Sequence, residues 1–232
     1  MSAAIAGNGV TRSVEDYLKV IYRLSTEGRP ASTSEIAQAL ELAPASVSGM
    51  IKRLSEQGLL DHEPYRGAQL TDEGRRIALR MVRRHRLIES YLVAALGYSW
   101  DTVHDEAERL EHAVSDLLIE RMAAAMGHPT ADPHGDPIPA ADGSIEADDS
   151  VPLPDVPSGA TIEIRRVNTD NPALLRHLAE RGLRPGVRLL VTDRQPFSGP
   201  LTVRIGDAEQ VVGAEVARSL RCAPAGGTGG AA

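Results

Sequence analysis

The sequence predicts a mainly α-helical protein with a small β component: an N-terminal winged helix-turn-helix, a helical domain and a C-terminal SH3-like β-barrel. Three observations predict it. Short amphipathic helices and two strand-like runs fill residues 1–70, long apolar helices fill 71–140, and short alternating strands fill 158–222. A linker rich in Pro, Gly and Asp at 141–157 and a Gly- and Ala-rich tail at 223–232, expected to be disordered, complete the division.

The composition excludes several classes of protein. Cys222 is the only cysteine, so internal disulfides and cysteine-rich zinc modules are excluded. No apolar run approaches the ~18 residues that a membrane span needs, and the start of the chain lacks the basic and apolar regions of a signal peptide. We therefore expect no membrane association, and a cytoplasmic protein.

The charge is unevenly distributed. The net charge is −7, which by itself argues against a nucleic-acid partner. Residues 1–80 are balanced, with 10 basic and 10 acidic side chains, whereas residues 81–140 have 5 basic and 10 acidic ones. A bound cation would relieve the acidic excess of the middle segment.

The first domain is predicted from three helices and a hairpin. Residues 13–26 form an amphipathic helix with Ser13 as a candidate N-cap, and a second helix covers about 33–40. A third begins at Pro44, a favourable first helical residue, and ends at Gly58. The segment LLDHEPYRGAQL then gives two short strands joined by a turn. This order is typical of a winged-helix DNA-binding domain; the alternative is a small helical bundle that binds nothing.

The middle domain is predicted as two long helical stretches. Thr71 opens a helix that ends near Gly97, and Ser99 caps a second stretch that ends at Gly127 and is broken near 113–115. Both are rich in apolar residues that no remaining part of the chain can cover. A homodimer interface within residues 71–127 is the expected explanation.

The C-terminal domain is predicted from four strand-like runs and one helix. The runs ATIEIRRV, VRLLVTD, LTVRI and AEQVV alternate in the manner of strands, and NPALLRHLAERG, around residues 171–182, interrupts them as a helix. Strands of this length separated by Gly and Pro turns predict a small barrel.

The stretch from His104 to His112 is the strongest candidate for chemistry. On a helix, His104, Glu108, Glu111 and His112 are spaced by four, three and one residues and share one face. Two neighbouring glutamates repel each other unless a cation bridges them, so the pattern indicates a metal site. The alternative is a solvated acidic face with incidental histidines.

A second candidate lies on the preceding helix. His85 and Glu89 are four residues apart, which alone would suggest an intrahelical ion pair. If the two helical stretches form a hairpin, this pair can face His104 and complete a His-Glu-His set.

These motifs resemble those of a known family. RHRLIESYL, then VHDEAERLEHAVSD, then the loop HGDPIP, behind a winged helix, are similar to the diphtheria-toxin-repressor family of iron- and manganese-dependent regulators. The resemblance runs from about residue 12 to residue 222. It implies a metal-dependent repressor with a DNA-binding domain, a helical dimerisation domain and an SH3-like domain, which acts on operator DNA of metal-homeostasis genes.

The resemblance also implies a regulatory metal site of Asp16, Glu108, Glu111 and His112. Iron-type members have Met and Cys where this chain has Asp16 and Glu108, as manganese-type members do. Carboxylates and imidazole suit Mn²⁺, so Mn²⁺ is the expected metal. The alternative is an Fe²⁺-dependent repressor of iron-uptake genes.

The implied ancillary site is His85, Glu89 and His104. Lys19 stands where compact manganese regulators have a further Glu, which argues against a close two-metal cluster. Two further ligands of three-domain members align with Asn171 and Leu174, and leucine cannot bind a metal. The nearby alternatives are Asp170, His177 and Glu180.

The implied DNA contacts lie in the helix-turn-helix and the wing, where Gly49 replaces a Gln that is frequent in the recognition helix. They are Thr33, Ala45, Ser46, Ser48, Arg53 and Arg66. A metal buffer without DNA activity or a metal-dependent hydrolase is the alternative from another class. Because no nucleophile motif accompanies the candidate ligands, we do not expect an enzyme.

Overall fold

The computed structural model describes residues 11–25, 29–63 and 67–225. The chain divides into two compact units. The first extends to His85 and includes Pro139–Ser144, and the second comprises Arg86–Ile138 and the chain from Ile145 onward. Among the described residues, no helix combines the length and the apolar character that crossing a membrane requires.

The first unit contains the winged helix. Its helices are α1 (Arg12–Leu24), α2 (Thr33–Ala39) and α3 (Pro44–Glu56), and its wing is an antiparallel hairpin of β1 (Leu60–Glu63) and β2 (Gly67–Leu70). Its core is formed by fully buried aliphatic side chains, among them Leu18, Ile21, Ile36, Ile51, Leu54 and Leu60. The predicted helix-turn-helix and wing are confirmed.

The ends of the helices differ in how they are capped. Helix α2 begins with a capping box, because the Ser32 hydroxyl accepts the N–H of Glu35 and the Glu35 carboxylate accepts the N–H of Ser32. The hydrogen bond from Arg29 and those from Ser32 lower the pKa of Glu35 to about 2. The prediction that Ser13 caps α1 is wrong. The helix begins earlier, and the Thr11 carbonyl accepts the N–H groups of Val14 and Glu15 at 2.8 and 3.1 Å.

Helix α4 (Asp72–Leu96) starts directly behind the wing. The Thr71 hydroxyl accepts the N–H of Gly74 at 3.2 Å and donates to the Gly58 carbonyl at 2.8 Å. A side chain at Gly74 would lie 2.1 Å from the Leu59 carbonyl oxygen, so the close packing of α4 against the wing requires glycine here.

The helical part of the second unit consists of the end of α4, α5 (Val103–Leu110) and α6 (Asp116–Ala125). The predicted break is confirmed, because turns follow α5 and the Ser115 hydroxyl caps α6 by accepting the N–H of Leu118 at 3.2 Å. Ser99, predicted as the cap of this stretch, instead opens a turn, and α5 begins four residues later. The core of this helical part consists of buried aliphatic side chains: Leu87, Ile88, Leu92, Val103, Ala107, Ile119, Ala123 and Ile138.

The C-terminal part of the second unit is an antiparallel sheet of six strands in the order β3-β8-β4-β5-β6-β7. The four predicted strands are β4 (Thr161–Val167), β5 (Arg188–Arg194), β6 (Leu201–Ile205) and β7 (Ala208–Val212), and the predicted helix is α7 (Pro172–Glu180). The sheet also contains β3 (Val151–Pro152), within the segment predicted as a linker, and β8 (Leu220–Pro224), preceded by α8 (Ala214–Arg218). Trp100, from the turn before α5, belongs to the core of this domain.

Candidate metal centre

The candidate DNA-binding face lies on α3. Val47, Ile51 and Leu54 are buried against the core of the first unit. The opposite face is exposed and carries Ala45, Ser46, Ser48, Gly49, Lys52 and Arg53. The predicted DNA contacts on this helix therefore share a solvent-accessible surface.

Two of the other predicted DNA contacts differ in their surroundings. Thr33 is the first residue of α2 and is half-buried. Arg66, the predicted wing contact, lies outside the described residues. On α3 itself, the Ser48 hydroxyl donates to the Pro44 carbonyl at 3.0 Å, so Ser48 is exposed but already bonded to its own helix.

The predicted metal ligands come from both units. Asp16 is half-buried on α1 and lies 4.0 Å from the Arg12 guanidinium. His85 is buried on α4, at the end of the first unit, and Glu89 follows it one turn later in the second unit. The remaining predicted ligands lie on α5 and in the turn that follows it.

Glu111 and His112 meet at the C-terminal end of α5. The Glu111 side chain is 0 % exposed, and its Oε1 lies 3.3 Å from His112 Nε2. A carboxylate that has lost all contact with solvent requires compensating positive charge. The donor set of a buried carboxylate and an imidazole therefore fits a divalent metal.

Glu89, His104 and Glu108 form a connected series. His104 Nδ1 lies 3.1 Å from Glu89 Oε1, and His104 Nε2 lies 3.8 Å from Glu108 Oε1. The structure thus brings two members of the predicted ancillary set together across α4 and α5. It also places Glu108 next to His104, in addition to its position in the E-x-x-E-H series.

A third group includes two residues that were not predicted as ligands. Glu89, Asp132 and His134 are all buried, and one ligand atom from each lies within 4.8 Å of the others. The two carboxylate oxygens of Glu89 face different imidazoles. Its Oε1 lies 3.1 Å from His104 Nδ1, and its Oε2 lies 4.0 Å from His134 Nδ1. Glu89 is therefore shared between the predicted ancillary set and this new group.

The tautomer of His134 is fixed by its neighbour. His134 Nε2 lies 2.7 Å from the main-chain oxygen of Trp100, which can only accept a hydrogen bond. The proton of a neutral imidazole is therefore on Nε2, and Nδ1 presents its lone pair on the side of Glu89. This is the arrangement that a metal-binding histidine needs, with one nitrogen oriented by a hydrogen bond.

The surroundings of Asp132 disfavour its negative charge. Its Oδ1 accepts the N–H groups of His134 and Asp136 at 2.8 and 2.9 Å, and Arg86 Nε lies 3.6 Å from its Oδ2. Burial, and then the charges of Asp136 and Glu89, raise the pKa of Asp132 well above its usual value, although Arg86 opposes this shift. A divalent cation would offset the repulsion between these carboxylates, so the group fits a metal.

None of these groups includes a side chain of the SH3-like domain. Asn171 is the N-cap of α7, and its side-chain oxygen accepts the N–H groups of Ala173 and Leu174. In the part of the chain that the structure describes, no side chain of this domain joins a group of three or more ligand atoms of His, Cys, Asp or Glu. The alternatives Asp170, His177 and Glu180 therefore gain no support.

Three family models match the chain. The N-terminal DNA-binding domain of iron-dependent repressors matches residues 9–68, and their metal-binding and dimerisation domain matches residues 71–140. A FeoA domain matches residues 151–224.

Individual proteins of known sequence or structure are also similar over most of their length. The iron-dependent repressor IdeR of Mycobacterium tuberculosis (strain ATCC 25618 / H37Rv) is 31% identical over 230 residues, which cover 92% of this chain and 98% of that protein. The structure of a manganese-dependent transcriptional repressor in complex with manganese is 42% identical, with a TM-score of 0.85 over 91% of this chain and 99% of that one. The crystal structure of ScaR with bound Cd²⁺ is 33% identical, with a TM-score of 0.77 and coverage of 91% and 99%.

Proposed function

Because the chain belongs to the iron-dependent repressor family, that of the diphtheria toxin repressor, we propose that it is a homodimer that binds operator DNA when Mn²⁺ is bound. Members of this family are metal-dependent transcriptional repressors and not enzymes. Since a repressor works where the DNA is, the cytoplasm is the expected compartment.

The regulatory site consists of Asp16, Glu108, Glu111 and His112. The fully buried carboxylate of Glu111 beside His112 supports this assignment. The set offers three carboxylates, one imidazole and no sulfur, which are donors that suit a hard divalent ion such as Mn²⁺. In addition, the similar structure at 42% identity is that of a repressor described as manganese-dependent and in complex with manganese.

A second metal, the ancillary one, is held by Glu89, Asp132 and His134, with the predicted ancillary ligands His104 and, one turn before Glu89 on α4, His85 as neighbours. The three buried groups, the lone pair on His134 Nδ1 and the repulsion at Asp132 support this assignment. The site lies within the second unit, so it tunes the response instead of restraining the DNA-binding domain directly.

The bound metal supplies positive charge, and the chain supplies ligands from separate segments. Asp16 is on a helix of the winged-helix domain, and the E-x-x-E-H residues are in the dimerisation domain. A shared ion limits the orientations available to the two recognition helices of a dimer, which operator DNA requires at about one helical turn, ~34 Å. Metal at 100 times its Kd contributes about 2.7 kcal/mol to the ordered form.

The Fe²⁺-dependent alternative rests on the curated relatives, since IdeR is described as an iron-dependent repressor. Intrinsic affinity for nitrogen and oxygen donors rises from Mn²⁺ to Fe²⁺. Selectivity must therefore be tested by exchanging the two positions at which iron-type members differ.

The test is the double variant Asp16→Met/Glu108→Cys, titrated with Mn²⁺ and with Fe²⁺ under anaerobic conditions while binding to the gene's own promoter is measured. We expect wild type to respond to Mn²⁺ at lower metal concentration than the variant. The variant should respond preferentially to Fe²⁺ or Co²⁺, because thioether and thiolate favour these ions.

Asp105→Met/Glu106→Cys is the matched control, because both residues lie on α5 outside the proposed ligand set. If wild type and the double variant respond identically to both metals, the ligand argument for manganese is wrong. If metal never changes promoter binding, the chain acts as a metal buffer and not as a repressor.

A further inference from the structure

The loop that carries Asp132 and His134 is bound to the SH3-like domain within the second unit. The Val167 N–H, at the end of β4, donates to the His134 carbonyl at 2.8 Å. The Asp136 carboxylate pairs with Arg166 at 2.7 Å. Gly135 has a φ of +85°, and a Cβ there would lie 1.9 Å from the Arg165 carbonyl oxygen. The loop therefore packs so closely on β4 that only glycine fits at this position.

Trp100 connects His134 to the same domain. Its main-chain oxygen accepts the hydrogen bond from His134 Nε2, and its ring stacks on the imidazole with centroids 5.7 Å apart and planes at 22°. The indole itself is buried in the core of the SH3-like domain. Packing in that core thus determines where the carbonyl that orients His134 lies.

Arg184 adds a contact from the surface of the SH3-like domain. Its guanidinium carbon lies 4.9 Å from the centroid of the Trp100 ring, within the range of a cation–π interaction. Arg184 is exposed, whereas Trp100 is buried. Its replacement therefore leaves the core intact while it removes one restraint on the indole.

The indole contributes no hydrogen bond of its own. Trp100 Nε1 is buried and has no partner among the described protein residues. A buried N–H without a partner has a cost, so hydrogen bonding does not explain a tryptophan here. The ring is used for its shape and its stacking surface, which phenylalanine can partly reproduce.

From these contacts we infer that Trp100 and Arg184 are positioning residues through which the SH3-like domain sets the metal affinity of the Glu89–Asp132–His134 site. The inference rests on the second metal site of the proposed function. Trp100 holds His134 with its proton on Nε2 and its lone pair on Nδ1, and Arg184 holds Trp100. Metal binding and the docking of the SH3-like domain thereby stabilise each other.

The chain contains a single tryptophan, which makes the inference measurable. Mn²⁺ alone is titrated into the full-length protein while Trp100 fluorescence is recorded, and bound Mn²⁺ is counted by equilibrium dialysis. We expect saturable quenching in wild type and in Glu111→Gln, and none in His134→Ala. Arg184→Ala should raise the midpoint of quenching roughly tenfold, at the lower end of the effect of removing a partner that orients a metal ligand.

Controls separate positioning from general damage. Arg218→Ala removes an exposed arginine elsewhere in the SH3-like domain and should leave the midpoint unchanged. Arg184→Lys retains a cation over the ring and should restore most of the affinity. Trp100→Phe retains stacking and should keep the second Mn²⁺ in dialysis, whereas Trp100→Ala should lose it.

A metal-free measurement tests the tautomer directly. Long-range ¹H–¹⁵N NMR spectra of the imidazoles should show His134 protonated on Nε2 in wild type and in Trp100→Phe, and a mixture of tautomers in Trp100→Ala. Unchanged Mn²⁺ affinity in Arg184→Ala, or an unchanged tautomer in a folded Trp100→Ala protein, overturns the inference. If His134→Ala binds as many Mn²⁺ ions as wild type, the second site itself is wrong and the inference falls with it.

Discussion

On α3, the residues that stabilise the fold differ from those proposed to bind DNA. The buried Val47, Ile51 and Leu54 stabilise the winged helix, and the exposed Arg53 on the other face does not contribute to that core. An arginine in this position can bind phosphate through charge-assisted hydrogen bonds. Its replacement should therefore change affinity without changing the fold.

We predict that Arg53→Ala weakens binding to all DNA sequences about equally. It should reduce the slope of log K against log salt by about one unit, because one phosphate contact is lost. The measurement is fluorescence anisotropy with the operator and with a scrambled duplex over a range of salt concentrations.

Arg218→Ala is the charge-matched control, because Arg218 lies on α8 of the SH3-like domain. The prediction would be contradicted by a variant that loses operator binding and retains full affinity for scrambled DNA. Arg53 would then read a base instead of a phosphate.

How far the site could be predicted depended on where its residues lie. Glu108, Glu111 and His112 follow helical spacing, so the sequence indicates a common face. Asp132 and His134 lie in a loop rich in Pro and Gly, where no period relates neighbouring side chains. The available signal was the Asp-Pro-His sequence that leads into the HGDPIP motif, whose first residue is His134, because it places two ligand types within three residues.

Secondary-structure elements were predictable where they had a clear period or a cap. The long helix α4 and the four strands β4 to β7 follow their patterns. The two-residue strand β3, the five-residue helix α8 and the strand β8 do not. The elements β3 and α8 are too short for a period to be recognised. Strand β8 is as long as β6 and β7, but its adjacent residues Cys222 and Ala223 are both buried, so it lacks strict alternation. It is defined by pairing with β3 and β4 over a long sequence separation.

Helix α6 presents an apolar surface that its own core does not use. Leu117 and Leu118 are 69% and 43% exposed, while Ile119 and Ala123 are buried. Exposed leucines of this kind, together with Leu96 and Tyr98 near the end of α4, indicate an interaction surface. The proposed homodimer accounts for them.

We predict that Leu117→Glu/Leu118→Glu converts the full-length dimer to a monomer at micromolar concentrations, because charges would be buried at the interface without partners. Sedimentation equilibrium measures the change. Leu42→Glu, an exposed leucine in the winged helix, is the control and should remain dimeric. A wild-type protein that is monomeric, or a double variant that is still dimeric, would place the interface elsewhere.

At the scale of the whole molecule, the two proposed metal sites should differ in how strongly they control DNA binding. The proposed regulatory site includes Asp16, which belongs to the first unit, whereas Glu89, Asp132 and His134 of the proposed ancillary site all belong to the second unit. A ligand can shift a conformational equilibrium only by its differential affinity for the two states. Loss of the regulatory metal should therefore remove the switch, and loss of the ancillary metal should weaken it.

We predict that Glu111→Gln abolishes metal-dependent operator binding, whereas His85→Ala still responds to Mn²⁺ at a higher concentration. Glu111, a ligand of the proposed regulatory site, is fully buried, and its neutral replacement removes a negative charge without changing the size of the side chain. His85 belongs to the predicted ancillary set, so its loss should raise the midpoint roughly ten- to a hundredfold, as the loss of a partner around a metal site does. Operator anisotropy against free Mn²⁺ measures both midpoints, and thermal unfolding with and without Mn²⁺ verifies that each variant is folded. Complete loss of the metal response in a folded His85→Ala protein would make the ancillary site the primary one, and the switch would then have to act through the dimerisation domain alone.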